Sequence, residues 1–323
     1  MSKIGISGPP LHFNRLRFQP RKGWVLLLLG LAAACGEADQ VEVPPEVELG
    51  TGEPEAFLPG IANPTGPVEG LAMSPEGQSI FLVRASGGAT NLELTRWTEQ
   101  GFTPPVTLPF GRPGMDRDPQ LSPDGEWLYF ASRRPLPQAG AADTTIYNLW
   151  RASRSPDGWG EAEPLEGVNH PEFHDRGPAL SGDGTLVFAS ERSGRGSDLW
   201  LAEPTELGFH SPVNPGPPVN TSAWESDPYL APDASFVIFV RREAAQSDPG
   251  GVGVPSSGGD LYFSRQQTGG WTSPEALAGG VNSENDEFAP FVSPGGEYLF
   301  FNRGAEAIWW VPTRSTGIPL GRN

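Results

Sequence analysis

Apolar and polar residues follow one another along this chain in short repeated blocks, not in the 3.6-residue rhythm of amphipathic helices. Apolar runs recur at 80-IFLV-83, 128-LYF-130, 186-LVF-188, 236-FVIF-239 and 298-YLFF-301. Because they are continuous and do not alternate, they predict strands buried on both faces. Before each run stands a tight-turn signal, Ser-Pro-Asp-Gly at 122–125 and close variants elsewhere, in which Pro presets φ and Gly takes the positive φ. The segment ending at that turn predicts a short inner strand with Pro at its start, where a missing N–H does least harm. A third strand is expected at 92–97, 148–152, 198–202, 260–265 and 307–311. A fourth opens on Gly and an aromatic in 101-GFTPP-105, 158-GWGEA-162, 208-GFHSP-212 and 270-GWTSP-274.

With Ser74, Ser122, Ser181, Ala231 and Ser293 taken as equivalent, the repeats are spaced by 48, 59, 50 and 62 residues. That is near the length of one four-stranded propeller blade, a unit too small to bury its own apolar face. The fifth repeat lacks its fourth strand, yet 54-PEAFLPGIAN-63 matches the fourth-strand segment 274-PEALAGGVN-282. The expectation is therefore an all-β propeller over 54–311 with five blades of four antiparallel strands, closed by an N-terminal strand that leaves no edge at the seam. Six blades is the alternative. The tail, 312–323, carries Ile318 as a competitor for the same edge.

The run 119-PQLSPDGEWLYFASR-133 resembles the repeat of the TolB-type family of WD-like propellers found in bacterial envelope proteins, and 178-PALSGDGTLVFASERSGRGSDLW-200 extends the resemblance into a third strand. It covers about residues 54 to 311. It departs in blade number, TolB itself being generally six-bladed, and at Glu76 and Ala234, which break the turn signature. What the resemblance implies is an exported binding scaffold, with no catalytic residues to carry over.

Composition agrees with many short strands and turns, with 42 Gly and 36 Pro in 323 residues. The first 35 residues read as an address. Lys3, Arg15, Arg17, Arg21 and Lys22 precede an apolar run from Trp24 to Ala34 that is too short for the roughly 20 residues of a membrane span. The stretch 31-LAAAC-35 resembles a bacterial lipoprotein processing box, which predicts lipidation of Cys35, the one cysteine; ordinary cleavage after Ala34 is the alternative. Residues 36–53, acidic and Pro-rich, predict a solvated tether. The location expected is the cell envelope, at the outer membrane facing the periplasm or the cell surface. The chain carries a net charge of −17, and after residue 35 every basic residue is Arg. Such a surface repels nucleic acid and anionic headgroups, so the membrane is expected to be met only through the anchor.

Four repeats place an acid six residues before the reference position: Asp116, Asp175, Glu225 and Glu287. An Arg ends each second strand: Arg84, Arg133, Arg192, Arg241 and Arg303. One reading is a carboxylate rim at the channel mouth, on the face that also receives the long loops 135–146 and 243–259, binding a basic group of an envelope protein or polymer. The other is turn capping and pairing with the Arg set between blades. No cofactor is implied; Ca2+ is the one ion such a rim would admit, and no ligand spacing calls for it. His170, His174 and His210 show no zinc spacing, and no nucleophile elbow, phosphate loop or dinucleotide fingerprint is present. Trp97, Trp150, Trp200 and Trp309 recur at one blade position and read as packing. The expectation is a monomeric, non-enzymatic scaffold, with a glycoside hydrolase using channel-mouth carboxylates as the alternative.

Overall fold

The computed structural model describes residues 52–57, 67–86, 89–98, 101–137, 145–243, 258–304 and 307–318. The leader expected over 1–35, Cys35, the tether up to Thr51, and the central parts of the loops 135–146 and 243–259 lie outside the described residues.

Five sheets are present, each built on one repeat. Blade 1 contains β2 (Val68–Met73), β3 (Ser79–Ser86), β4 (Ala89–Thr98), and an outer strand split into β5 (Gly101–Phe102) and β6 (Val106–Thr107). Blade 2 contains β7 (Asp116–Leu121), β8 (Trp127–Ser132), β9 (Asn148–Ser155) and β10 (Gly158–Pro164). Blade 3 contains β11 (Asp175–Leu180), β12 (Leu186–Ser190) and β13 (Asp198–Ala202). Its expected fourth strand is reduced to single bridges, Leu201 with Val213 and Pro204 with Phe209. Blade 4 contains β14 (Trp224–Leu230), β15 (Phe236–Arg242), β16 (Asp260–Gln267), and the split pair β17 (Gly270–Trp271) and β18 (Glu275–Ala276). Blade 5 contains β19 (Glu287–Val292), β20 (Tyr298–Arg303) and β21 (Ala307–Pro312), and its outer strand is β1 (Glu55–Ala56) from the other end of the chain. The expected N-terminal closure is thus present, with Glu55 opposite Trp310 and Ala56 opposite Trp309. Ile318 does not compete for that edge; it is buried in the core after a 3-10 turn at Thr313–Ser315.

The continuous apolar runs are the buried second strands. Those of blades 2 to 5 each supply one fully buried phenylalanine at the same register, Phe130, Phe188, Phe239 and Phe301; blade 1 has Leu82 there, with its buried Phe81 one position earlier. Facing these four phenylalanines on the third strands are Trp150, Trp200, Tyr262 and Trp309. Trp97 falls out of the tryptophan series: Glu93, facing Leu82, holds its place in blade 1, and Trp97 packs edge-on against Phe102. Burying a side chain of this size contributes about 1.5–3 kcal/mol, so these four phenylalanines are a large part of what holds the blades together.

The turns form as their chemistry dictates. Ser122 Oγ lies 2.5 Å from Asp124 Oδ1 and accepts the Trp127 N–H at 3.0 Å, while Gly125 takes φ 75°. Where Ala234 replaces that glycine, the turn still closes, with Ala234 itself at φ 57°. Proline sits in mid-strand, not at the strand start. In every inner strand the register slips by a bulge at that point, as between Arg117 and Gln120, so the missing N–H interrupts no ladder bond. Another device recurs in the inter-blade loops: Asn169, Asn220 and Asn282 each accept the N–H and bond the carbonyl of one third-strand residue, Leu149, Leu199 or Leu261.

Candidate functional site

The five inner strands stand side by side around a central channel. The acids expected to form its rim are not exposed: Asp116, Asp175, Glu225 and Glu287 are each 0% accessible. Each is held by an arginine at or just past the end of its own blade's second strand, and not between blades as the pairing alternative has it. Arg192 meets Asp175 at 2.6 Å, Arg241 meets Glu225 at 3.4 Å, and Arg303 meets Glu287 at 3.0 Å. In blade 2 the partner of Asp116 is Arg134, at 2.6 Å, and not Arg133.

Register explains which arginine is used. The glutamates lie directly opposite their arginines, Glu225 across from Arg241 and Glu287 across from Arg303. The shorter aspartates face serines, Ser132 and Ser190, and the arginine two residues further on reaches back. The hydroxyl partner changes accordingly: Ser132 donates to Asp116, whereas Thr221 and Ser283 from the preceding loops donate to Glu225 and Glu287. Each guanidinium also lies over the buried phenylalanine and the facing aromatic, as Arg192 does over Phe188 at 5.2 Å and Trp200 at 5.1 Å. Burial pushes the carboxyls of Asp175 and Glu225 up, and their arginines and hydrogen bonds pull them back. In blade 1 Val68 takes the acid's place, and Arg84 bonds Glu93 at 2.8 Å.

Two residues further along the inner strands lies a set that the repeat does not predict. The bulge residues Gly70, Asp118, Gly177, Asp227 and Ala289, with the prolines that follow four of them, line a cavity of about 40 Å3 at the waist of the channel. Asp118, Asp227 and Ala289 hold positive φ of 54°, 46° and 50°, a backbone region that non-glycine residues seldom adopt. Gly177 sits between the two aspartates. Its N–H donates to Asp118 Oδ2 at 3.3 Å, and a Cβ there would lie 3.1 Å from Pro228 and 3.4 Å from the Asp227 Cα. Asp118 pairs with Arg117 at 3.0 Å, and Arg117 also approaches Glu69 at 4.0 Å. Asp227 has no ion pair among the described residues. It accepts a long hydrogen bond from the Ser226 hydroxyl, at 3.5 Å. Burial first, and Asp118 second, push the Asp227 carboxyl up, against the pull of Arg242, Arg117 and Arg176.

The remaining candidates do not converge. Arg133, freed from Asp116, bonds the Gly114 carbonyl and lies 5.5 Å over the Tyr147 ring, which Arg117 also approaches at 5.6 Å. His174 accepts the Tyr147 N–H at Nδ1, and burial lowers its pKa; His170 accepts from Glu172, and His210 is exposed. Among the described residues no three His, Cys, Asp or Glu side chains gather as metal ligands. A larger cleft of about 240 Å3 between the outer parts of blades 2 and 3 is lined by Arg151, Glu163 and Phe209, with the first two already paired at 2.8 Å.

No protein-family profile matches the chain, and no curated protein matches it. Solved structures do resemble the fold. A putative TolB from Agrobacterium tumefaciens aligns at 15% identity and TM-score 0.48, over 78% of this chain and 79% of the other. TolB from Acinetobacter baumannii aligns at 13% identity and TM-score 0.46, over 78% of this chain but only 55% of TolB, so the chain spans about half of that protein. An endo-arabinanase from Bacillus licheniformis aligns at 12% identity and TM-score 0.48, over 76% and 94%. At these values the likeness is one of architecture, shared by a TolB and a glycan hydrolase alike, and it assigns no activity.

Proposed function

We propose that this chain is a lipid-anchored, non-enzymatic propeller of the bacterial cell envelope that presents its loop-rich face to an envelope protein or polymer. One observation carries the reading. All four repeat acids are occupied by arginines inside their blades, so recognition falls to what does not repeat: the long second-to-third-strand loop sequences and the waist of the channel. Metabolic labelling with a palmitate analogue tests the anchor: label is expected on the native chain and lost in Cys35→Ser, and its retention there rules the anchor out. Photo-crosslinkers placed in 135–146 and 243–259 test the face. Envelope components are expected to crosslink there, and crosslinks only from the opposite face, around Asp124 and Asp183, would reverse the assignment.

Glycoside hydrolysis remains the alternative, and one observation favours it: Asp118 and Asp227 sit in unlike environments, as an acid and base pair requires. Space argues against it. About 40 Å3 holds roughly three water-sized groups at about 15 Å3 each, too little for a sugar ring. Hydrolysis in a glycan screen that Asp227→Asn abolishes would establish the enzyme.

A further inference from the structure

Every other acid of the inner strands has an arginine bonded or within 4.0 Å; Asp227 has none. Charge at the waist is also out of balance. Glu69, Asp118 and Asp227 bring three carboxylates, and Arg117 is the one guanidinium bonded to any of them. The neighbouring arginines bond other acids, Arg176 to Glu191 at 2.8 Å and Arg242 to Asp286 at 3.0 Å; Arg242 reaches Asp227 only through the Ser226 hydroxyl, to which it donates at 3.0 Å. Blade 5 contributes only Ala289 and Pro290 to the lining. We propose that the channel waist is a pocket for one primary ammonium group, carried on an extended chain that enters from the loop-rich face, with Asp227 as its counter-ion and Asp118 as a second acceptor.

Three features select an ammonium over other cations. The cavity admits a few water-sized groups, which suits an –NH3+ head and excludes a sugar or an aromatic cation. Three N–H donors match the two carboxylates that line the pocket on either side of Gly177, where a Cβ would crowd Pro228. A divalent metal would need more converging oxygen ligands than the described residues bring together. The chain's net charge of −17 adds attraction at long range. The inference deepens the scaffold reading above: the head is either a lysine of the bound partner or the end of a free alkylamine.

Calorimetric titration of the purified full chain with n-butylammonium, spermidine and Nα-acetyl-lysine methylamide tests it, with n-butanol as the neutral probe. Saturable binding of the ammonium probes and none of butanol is expected. Asp227→Asn should weaken butylammonium at least tenfold, and Glu163→Gln on β10 should leave it within twofold. Wild-type affinity should rise with pH as Asp227 gives up its proton, releasing that proton on binding. Tighter binding of the lysine derivative assigns the pocket to a partner's lysine, and equal binding of all three assigns it to free amines. Binding unchanged in Asp227→Asn, butanol binding as tightly, or no saturable binding overturns the inference. If crosslinking through the long loops persists in that case, the scaffold reading survives without the pocket.

Discussion

Asp116 and Asp227 are the same residue type on equivalent strands, yet replacing each with Asn should move stability in opposite directions. Asp116→Asn strips the partner from Arg134, whose side chain is only 7% accessible, and breaking a buried pair costs about 3–5 kcal/mol. Urea denaturation should show this loss, whereas Arg133→Gln should lose under about 1 kcal/mol because Arg133 bonds no acid. Asp227 is a carboxyl whose folded pKa is raised, so it favours the fold while protonated and loses that advantage as pH climbs from the ordinary carboxylate value to its own. Asp227→Asn should therefore raise Tm by about 3 °C at pH 7, a gain of about 1 kcal/mol, and change little near pH 3. A gain at pH 3 equal to that at pH 7 would mean that burial is not what perturbs this group. Ala234 offers a simpler test. Its φ of 57° strains an L-residue by about 1–2 kcal/mol, and Ala234→Gly should return about 1 kcal/mol of it in the same denaturation experiment.

The elements were legible because their signals repeat. Turn, apolar run and Gly-aromatic opening mark three strands in every blade and a fourth in most, and the mismatch between the chain's two ends revealed β1 before any coordinate. The site was much less legible, for reasons of register. In 132-SRR-134 only the strand pairing decides that Arg134 reaches Asp116 while Arg133 turns away. Asp118 and Asp227 occupy a position held by glycine or alanine in the other blades, so no repeat comparison could single them out, although the shared Asp-Pro at 118–119 and 227–228 was a usable sign. Blade 3 keeps a two-residue turn before 208-GFHSP-212, with the Thr205 N–H on the Gly208 carbonyl at 2.8 Å, but beyond it the outer segment meets the third strand only at single bridges. The closing strand makes its own prediction. Phe57 packs edge-on against Phe300 at 4.8 Å, so Phe57→Ala should cost about 2 kcal/mol, and deletion of 36–60 should lower Tm where deletion of 36–50 does not. Equal melting temperatures for the two deletions would remove β1 from the account of the fold.

For the whole molecule, the shifted carboxyls and the net charge act in the same direction. Burial raises Asp175, Glu225, Asp227 and Asp260, and only Asp183, bonded by Ser181 and Thr185, is lowered. With more acids bound to protons in the fold than in the unfolded chain, stability should peak near the ordinary carboxylate values, at about pH 4, and decline toward pH 8. Self-repulsion of a chain with net charge −17 steepens the decline, so salt should flatten it. Melting temperatures across that range check both statements, and a maximum at pH 7–8 would contradict them. The pairing of β1 with β21 has a further consequence, for biogenesis. A chain emerging N-terminus first exposes the strand that completes the ring before the strand it must join has been made, and no blade-by-blade order of folding can seal the seam early. Ring closure thus reports that synthesis has run through to the last blade, and a prematurely stopped chain is left with open strand edges that quality-control proteases can recognise.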